Sequence, residues 1–263
     1  MKLAVFTLTT AGVRVAAKIA QTMGANLHLP ISLKDSGIVN GGETVFFYEG
    51  STKEETKRIW DRYEGIVYVM SLGIVNRIIS GNIHDKHTDP AVVVVDEMGR
   101  YAISALSGHE GGANRLSEKI ALICEGDFVV TTGSEAVKTV IAGMGCRRGI
   151  SSDTLEEALI RGLEKAGRNI SELRLIASVE DKKDEKGLLE LSERIQVPLK
   201  FISKEWIKCV EENFDSSPVV KKALGISAVA EPCAILGGFR CKLILPKTIY
   251  KETTIALAEE RFM

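Results

Sequence analysis

Charge of one sign is what this sequence most plainly lacks. Its 34 Lys and Arg stand against 35 Asp and Glu, a formal charge of −1 over 263 residues. That balance gives no general reason to expect nucleic acid or an anionic membrane as partner, so any basic site is local. Cysteine pairing is also missing. Cys124, Cys146, Cys209, Cys233 and Cys241 form no C-x-x-C, and their number is odd. A disulfide framework or structural zinc site is therefore disfavoured, and a reducing cytoplasm is the expected home. No stretch approaches the ~18 uncharged apolar residues of a membrane span. Lys2 and the apolar run after it look like the start of a leader, but Arg14 and Lys18 interrupt it too soon. The sequence shows no low-complexity tract and no repeat between its halves. What is present, 45% hydrophobic and 26% charged residues, suits a globular chain of one large or two ordinary domains.

The pattern alternates strand and helix almost throughout. The expected fold class is α/β, as two layered domains with mostly parallel sheets flanked by helices. In the first half, strands are expected at 3–8, 44–48, 66–70, 91–96, 101–106 and 128–131. Helices are expected at 13–23, 52–63, 73–80 and 113–125. Gly41-Gly42 reads as a turn. AVVVVD, 91–96, reads as a fully buried central strand, with 101–106 as its hairpin partner. TTGSEAVKT, 131–139, is small and polar. The boundaries expected from it are a domain over 1–132, a linker over 133–139 and a domain over 140–263. In the second half, strands are expected at 140–144, 173–179, 199–202 and 242–245. Helices are expected from a cap at Ser151 or Ser152 to 166, then at 185–195, 203–212 and 218–224.

Four stretches could carry chemistry. LSGHEGGAN, 106–114, sets His109 among three glycines just before a helix. Glycines let N–H groups converge, and a helix start adds unpaired donors and a positive dipole end. Ser107, Gly108, Gly111, Gly112 and Asn114 could thus form an anion site, with His109 as donor or general acid or base. A strained turn with a self-satisfied histidine is the other reading. GMGCRRG, 143–149, misses G-x-G-x-x-G because Arg148 stands where glycine is needed. Gly145 would shape that turn, Arg147 and Arg148 could grip carboxylates, and Cys146 could be a lowered-pKa thiol or a buried structural one. SVEDKKDEKGL, 178–188, could turn Lys182 and Glu185 toward a site or be a solvated loop. In IVYVMSLGIVNRIIS, Ser71 and Gly73 lie at a strand-to-helix turn, with Arg77 four residues on. His84 and His87 in HDKHTDP are a weak metal pattern and read as a polar connection.

Together these stretches resemble the CbiG family, cobalt-precorrin-5A hydrolases of cobalamin synthesis. The first half is similar through GIVYVMSLGIVNRII and KHTDPAVVVVDEMGRYAISALSGHEGGANRLSEKIA. The second is similar through GMGCRRGISSDTLEEAL, LIASVEDKKDEKGLLELSERIQVPL and SPVVKKALGISAVAEPCAIL. The similarity spans roughly residues 60–250 in the family's order. There are departures. Many members carry a middle region where this chain has only 131–139. The usual aspartate, hydrophobe, lysine is here Glu180, Asp181, Lys182, and Lys186 replaces a common proline.

The resemblance implies a substrate, a cobalt-bearing tetrapyrrole fringed with acetates and propionates. Its δ-lactone is opened and a two-carbon fragment leaves as acetaldehyde, giving cobalt-precorrin-5B. Cobalt comes with the substrate, so no resident metal or other cofactor is expected. The implied site has His109 as the catalytic group, with an axial contact to cobalt or a hold on a propionate as its alternative roles. Ser107, Gly108, Gly111, Gly112, Asn114, Gly73, Gly145, Cys146, Arg147, Arg148, Lys182, Glu185 and Glu231 would be its substrate contacts. Transient contact with neighbouring pathway enzymes is implied, and apolar residues at 235–245 fit either a homodimer surface or core. Two competing readings remain: a non-catalytic tetrapyrrole binder like CobE, which the second half also resembles, and a nucleotide or phosphate-ligand enzyme. The second lacks both glycine-rich nucleotide fingerprints.

Overall fold

The computed structural model describes residues 1–34 and 44–261. The Gly41-Gly42 turn expected from the sequence lies outside them. The chain divides into two compact units, Met1–Thr132 and Gly133–Met263. Among the described residues no helix is long and apolar enough to cross a membrane.

The first unit runs β1 (Leu3–Thr7), α1 (Thr10–Met23), β2 (Asn26–Pro30), β3 (Val45–Tyr48), α2 (Thr52–Ile59), β4 (Gly65–Val69), α3 (Leu72–Ile79), β5 (Ala91–Val95), β6 (Tyr101–Leu106), α4 (Ala113–Cys124) and β7 (Asp127–Val129). Its sheet has the order β3-β2-β1-β4-β5-β6-β7. Neighbours are parallel except β5 and β6, which run antiparallel. Every residue of β5 is buried because helices cover both sheet faces. Ala91, Val93 and Val95 join a core with α1 and α4, and Val92 and Val94 join one with α2 and α3. Side-chain alternation sends successive valines to opposite layers, so an unbroken apolar run is what such a strand requires.

The second unit runs α5 (Gly133–Ala136), β8 (Val140–Cys146), α6 (Ser152–Lys165), β9 (Leu173–Val179), α7 (Lys186–Ile195), β10 (Leu199–Ile202), α8 (Lys204–Lys208), α9 (Pro218–Leu224), α10 (Ala230–Leu236), β11 (Cys241–Tyr250) and β12 (Thr253–Glu260). The sheet order is β10-β9-β8-β12-β11. Its first two pairs are parallel and its last two antiparallel. Leu155, Leu159 and Leu163 of α6 and Leu188 and Leu191 of α7 cover the face carrying Ala142 and Met144. Cys233 and Leu236 of α10 pack on the other face with Ile141 and Ala177.

Several boundaries differ from expectation. Helix α1 begins three residues early because the Thr9 side chain caps it, accepting from the Gly12 N–H at 3.1 Å. Strand β2 was unforeseen. Its His28 is buried, bonded at Nδ1 to Glu55 (2.9 Å) and at Nε2 to the Tyr63 hydroxyl (3.1 Å). The helix expected at 203–212 breaks into α8 and a 3₁₀ turn at Glu211–Asn213. Helix α10 and strand β12 had no sequence expectation, and β11 is longer than expected. Of the apolar residues at 235–245, Leu236, Leu243 and Leu245 pack into cores of their own unit, while Phe239 is exposed.

Candidate functional site

In the first unit, β6 delivers the chain into the turn 107–112. Because β6 opposes β5, with Leu106 paired to Val92, this turn sits at the amino ends of the main parallel strands. Asn114, at the start of α4, holds it. Its Oδ1 accepts from Ser104 Oγ at 2.8 Å and its Nδ2 donates to Thr132 Oγ1 at 2.9 Å. The Ala113 and Asn114 amides donate to the Ser107 and Gly108 carbonyls at 3.1 and 2.9 Å.

Each of the three glycines has a steric reason within the turn. Gly112 precedes α4 with φ +86°, in the left-handed region. A Cβ on Gly111 would run into the Ser107 side chain and lie 2.9 Å from its carbonyl oxygen. A Cβ on Gly108 would lie 2.8 Å from Asn114 Oδ1. A surplus of glycine therefore does not by itself mark a ligand. The site reading stands instead on donors left over. Two of the first α4 amides are used internally, but those of Gly111 and Gly112 have no partner among the described residues. His109 is exposed, and its ring makes no hydrogen bond to the described residues. The reading of His109 as a self-satisfied turn residue has no partner to rest on.

Sequence reasoning missed how the turn is tethered. Glu110 binds Lys86 Nζ at 3.0 Å and His87 Nδ1 at 3.3 Å. The Lys86 hydrogen bond lowers the Glu110 carboxyl pKa from its usual value. Their own segment is pinned by Asp89, which accepts from the His84 and Asp85 amides at 2.9 and 3.1 Å. Among the described residues no group of three or more His, Cys, Asp or Glu could hold a metal.

Gly73 does not join this turn. It lies in the first turn of α3, beyond the carboxyl end of β4, with its carbonyl accepting from Arg77 at 3.0 Å. The five-residue sheet separates it from the 107–112 turn by roughly 15 Å. A grouping of Gly73 with His109 is corrected by the reversal at β5–β6. A recess of about 370 Å³, lined by Phe47, Tyr48, Glu49, Glu54, Glu55 and Arg58, involves none of the residues singled out above.

In the second unit, Gly145, Cys146, Arg147, Arg148, Lys182 and Glu185 gather at the carboxyl ends of β8 and β9, where open α/β sheets bind ligands. Gly145 is packed tightly, since a Cβ there would meet Thr254 Oγ1 at 2.7 Å. Both arginines are exposed and already hold protein carboxylates. Arg147 binds Glu252 at 2.6 Å, and Arg148 binds both oxygens of Asp184 (3.0 and 2.9 Å) and the Asp181 carbonyl (2.8 Å). Exposed pairs of this kind are weakly held, so an incoming carboxylate can exchange with them. Glu231 lies on α10, against the opposite sheet face from Lys182 and Glu185. Its Oε1 accepts from the Lys247 amide at 3.0 Å, and its buried Oε2 has no hydrogen-bond partner among the described residues.

Lys182 and Glu185 are not a solvated loop. They are 7% and 4% exposed and pair at 3.3 Å, while the second Glu185 oxygen accepts the Gly149 amide at 2.9 Å. They stitch the β9 turn to the β8 turn. Glu185→Ala is expected to cost about 3 kcal/mol, because it strands a buried ammonium. The double change Lys182→Met with Glu185→Gln should restore most of that. Urea unfolding checks both, and a single-variant loss below about 1 kcal/mol would contradict the buried-pair account.

The lowered-pKa reading of Cys146 is also corrected. Burial pushes its thiol up to about 11, with Lys182 opposing. At pH 8 only about one part in a thousand is then thiolate. Native protein treated with iodoacetamide at pH 8 should add one label, at exposed Cys209. Peptide mapping that finds Cys146 modified as fast as Cys209 would refute this.

Comparison with known proteins places these two turns in a family context. Residues 54–135 match the family described as Cobalamin synthesis G N-terminal, and residues 140–258 match Cobalamin synthesis G C-terminus. The cobalt-precorrin-5A hydrolase of Salmonella typhimurium is 25% identical over 326 aligned residues, covering 89% of this chain and 91% of that protein. That alignment has more positions than this chain has residues, so the relative carries segments with no counterpart here. The cobalt-precorrin-5A hydrolase of Priestia megaterium is 40% identical over 98 residues, 37% of this chain and 26% of that protein. The crystal structure of CobE, a protein from the cobalamin biosynthetic pathway, aligns with 47% of this chain and 91% of its own at 36% identity, TM-score 0.44. With one half of the family matched in each unit, and in the family's order, the chain belongs to the CbiG family of cobalamin-synthesis proteins.

Proposed function

We propose that this protein is a cobalt-precorrin-5A hydrolase that opens the substrate's δ-lactone and releases acetaldehyde. The observation carrying the proposal is the similarity to a hydrolase of that name over 89% of this chain and 91% of the relative. In the proposed reaction, water adds to the lactone carbonyl and the ring C–O bond breaks. The acetate is freed, and the methyl-bearing lactone carbon, held to the macrocycle by one carbon–carbon bond, keeps a hydroxyl. That hydroxyl then loses its proton as the carbon–carbon bond to the macrocycle breaks. The electron pair and a proton pass to the macrocycle, and the two-carbon fragment leaves as acetaldehyde.

The first unit supplies the groups for the hydrolytic step. His109, exposed and with no hydrogen bond from its ring to the described residues, takes the proton from water. The free amides of Gly111 and Gly112 face the developing oxyanion. In the second unit, Arg147 and Arg148 bind peripheral carboxylates by exchange with Glu252 and Asp184. Cobalt belongs to the substrate.

The test is acetaldehyde release from anaerobically prepared cobalt-precorrin-5A. Release with formation of cobalt-precorrin-5B is the expected result. Binding of the macrocycle without release would replace the hydrolase with a tetrapyrrole carrier.

A further inference from the structure

We propose that the Ser107 hydroxyl is a third donor to the lactone oxyanion, beside the Gly111 and Gly112 amides. This rests on the hydrolase reading above.

The geometry singles out Ser107. It has φ +54°, in the left-handed region, where a serine is strained and glycine is not. Other non-glycine residues share that conformation in ordinary settings: Glu125 and Gln196 end helices, Lys251 sits in the β11–β12 hairpin turn, and Arg240 lies exposed in the bend leading into β11. Ser107 instead ends a strand. It is 9% exposed, and its Oγ is buried with no hydrogen-bond partner among the described residues. Glycine would relieve the backbone strain and remove the orphaned hydroxyl together, yet the position holds serine. Strain combined with an unpaired polar group is the pattern of a residue held for a ligand.

The position suits the role. Gly111 lies directly against Ser107, with no room for a side chain between them. The Ser107 side chain is therefore next to Gly111, whose neighbour in sequence is Gly112. In the proposed arrangement the hydroxyl and the two N–H groups serve one oxygen of the tetrahedral intermediate. The hydroxyl is idle in the free protein and paired only when substrate arrives, so its bond counts toward the reaction rather than the resting fold.

The test uses Ser107→Gly, which suits the left-handed backbone, with Ser107→Ala beside it. The expected result is a thermal midpoint for Ser107→Gly at or above that of the parent. Its kcat for acetaldehyde release should be about 100-fold lower with KM changed less than about threefold. Ser107→Ala should show the same kcat loss with a lower midpoint. Wild-type turnover in a well-folded Ser107→Gly would overturn the proposal and leave Ser107 as a turn residue. A KM rise with unchanged kcat would also overturn it, making Ser107 a ground-state contact. No release from the parent protein would overturn the hydrolase reading, and the proposal with it.

Discussion

A His109→Ala variant is expected to fold like the parent and to release acetaldehyde about 10²- to 10⁴-fold more slowly. The fold is spared because the ring is exposed and bonds to no described residue. Removing it leaves no cavity and no orphaned partner. The rate is not spared, because water is a poor nucleophile toward an ester until a base takes its proton. The pocket donors still stabilise the oxyanion in the variant, so turnover should fall steeply but not vanish. The measurement is single-turnover acetaldehyde release beside a thermal melt. A variant within about threefold of the parent would remove His109 from the chemistry while leaving the hydrolase intact. A variant that fails to melt cooperatively would instead contradict its exposed, unbonded placement.

Gly143→Ala should unfold the second unit or come close to it, at a cost of roughly 4 kcal/mol. Gly143 lies in β8 with α10 packed directly on it. An added Cβ would fall on the Ala230 carbonyl oxygen and lie 2.5 Å from the Ala234 amide nitrogen. Those are backbone atoms of a helix held by its own hydrogen bonds. Relief therefore means moving α10 as a whole rather than turning one side chain. Gly133→Ala is the control in the same unit, since nothing lies within 4 Å of a Cβ there. Urea unfolding should separate the two by several kcal/mol. Equal stability would mean that α10 does not sit where it is described.

How far the sequence could be read followed from how local each cause is. AVVVV, the five residues of β5, is legible because a strand covered on both faces meets its ten backbone groups in the ladder and its five side chains in apolar layers. The cap at Ser151 is legible for the same reason, since the side chain and the amide it accepts from lie within three residues; the cap at Thr9 is as local, yet Thr9 reads equally well as a turn residue, and the helix was expected three residues late. Strand β2 hid because its middle residue is a histidine. That residue becomes a core residue only through Glu55 and Tyr63, 27 and 35 positions away. Strand β12 hid because its neighbours, β8 and β11, define it, not its own Ala- and Glu-containing sequence.

The same distinction separates the parts of the site. The 107–112 turn was visible as composition, but its glycines answer to contacts with Ser107 and Asn114 that no spacing rule reveals. Lys182 and Glu185, three apart in a charged run, looked solvated until β8 brought Gly149 against them. Gly73 was misplaced because the hairpin of β5 and β6 was foreseen while its consequence was not. Reversing one strand moves everything after it to the other end of the sheet.

The place of β12 between β8 and β11 also shapes how the chain comes off the ribosome. In the first unit, the sheet is complete once β7 has emerged, well before the second unit is made. In the second, β8, β9 and β10 can pair in the order of synthesis, but one edge of β8 stays open. Its neighbour arrives about a hundred residues later, as the Thr254–Gly145 bond across 109 positions records. Throughout that interval an apolar strand edge is exposed in the nascent polypeptide. Of the two units, the second is thus the one whose sheet closes last relative to its own synthesis, only when β12 is added.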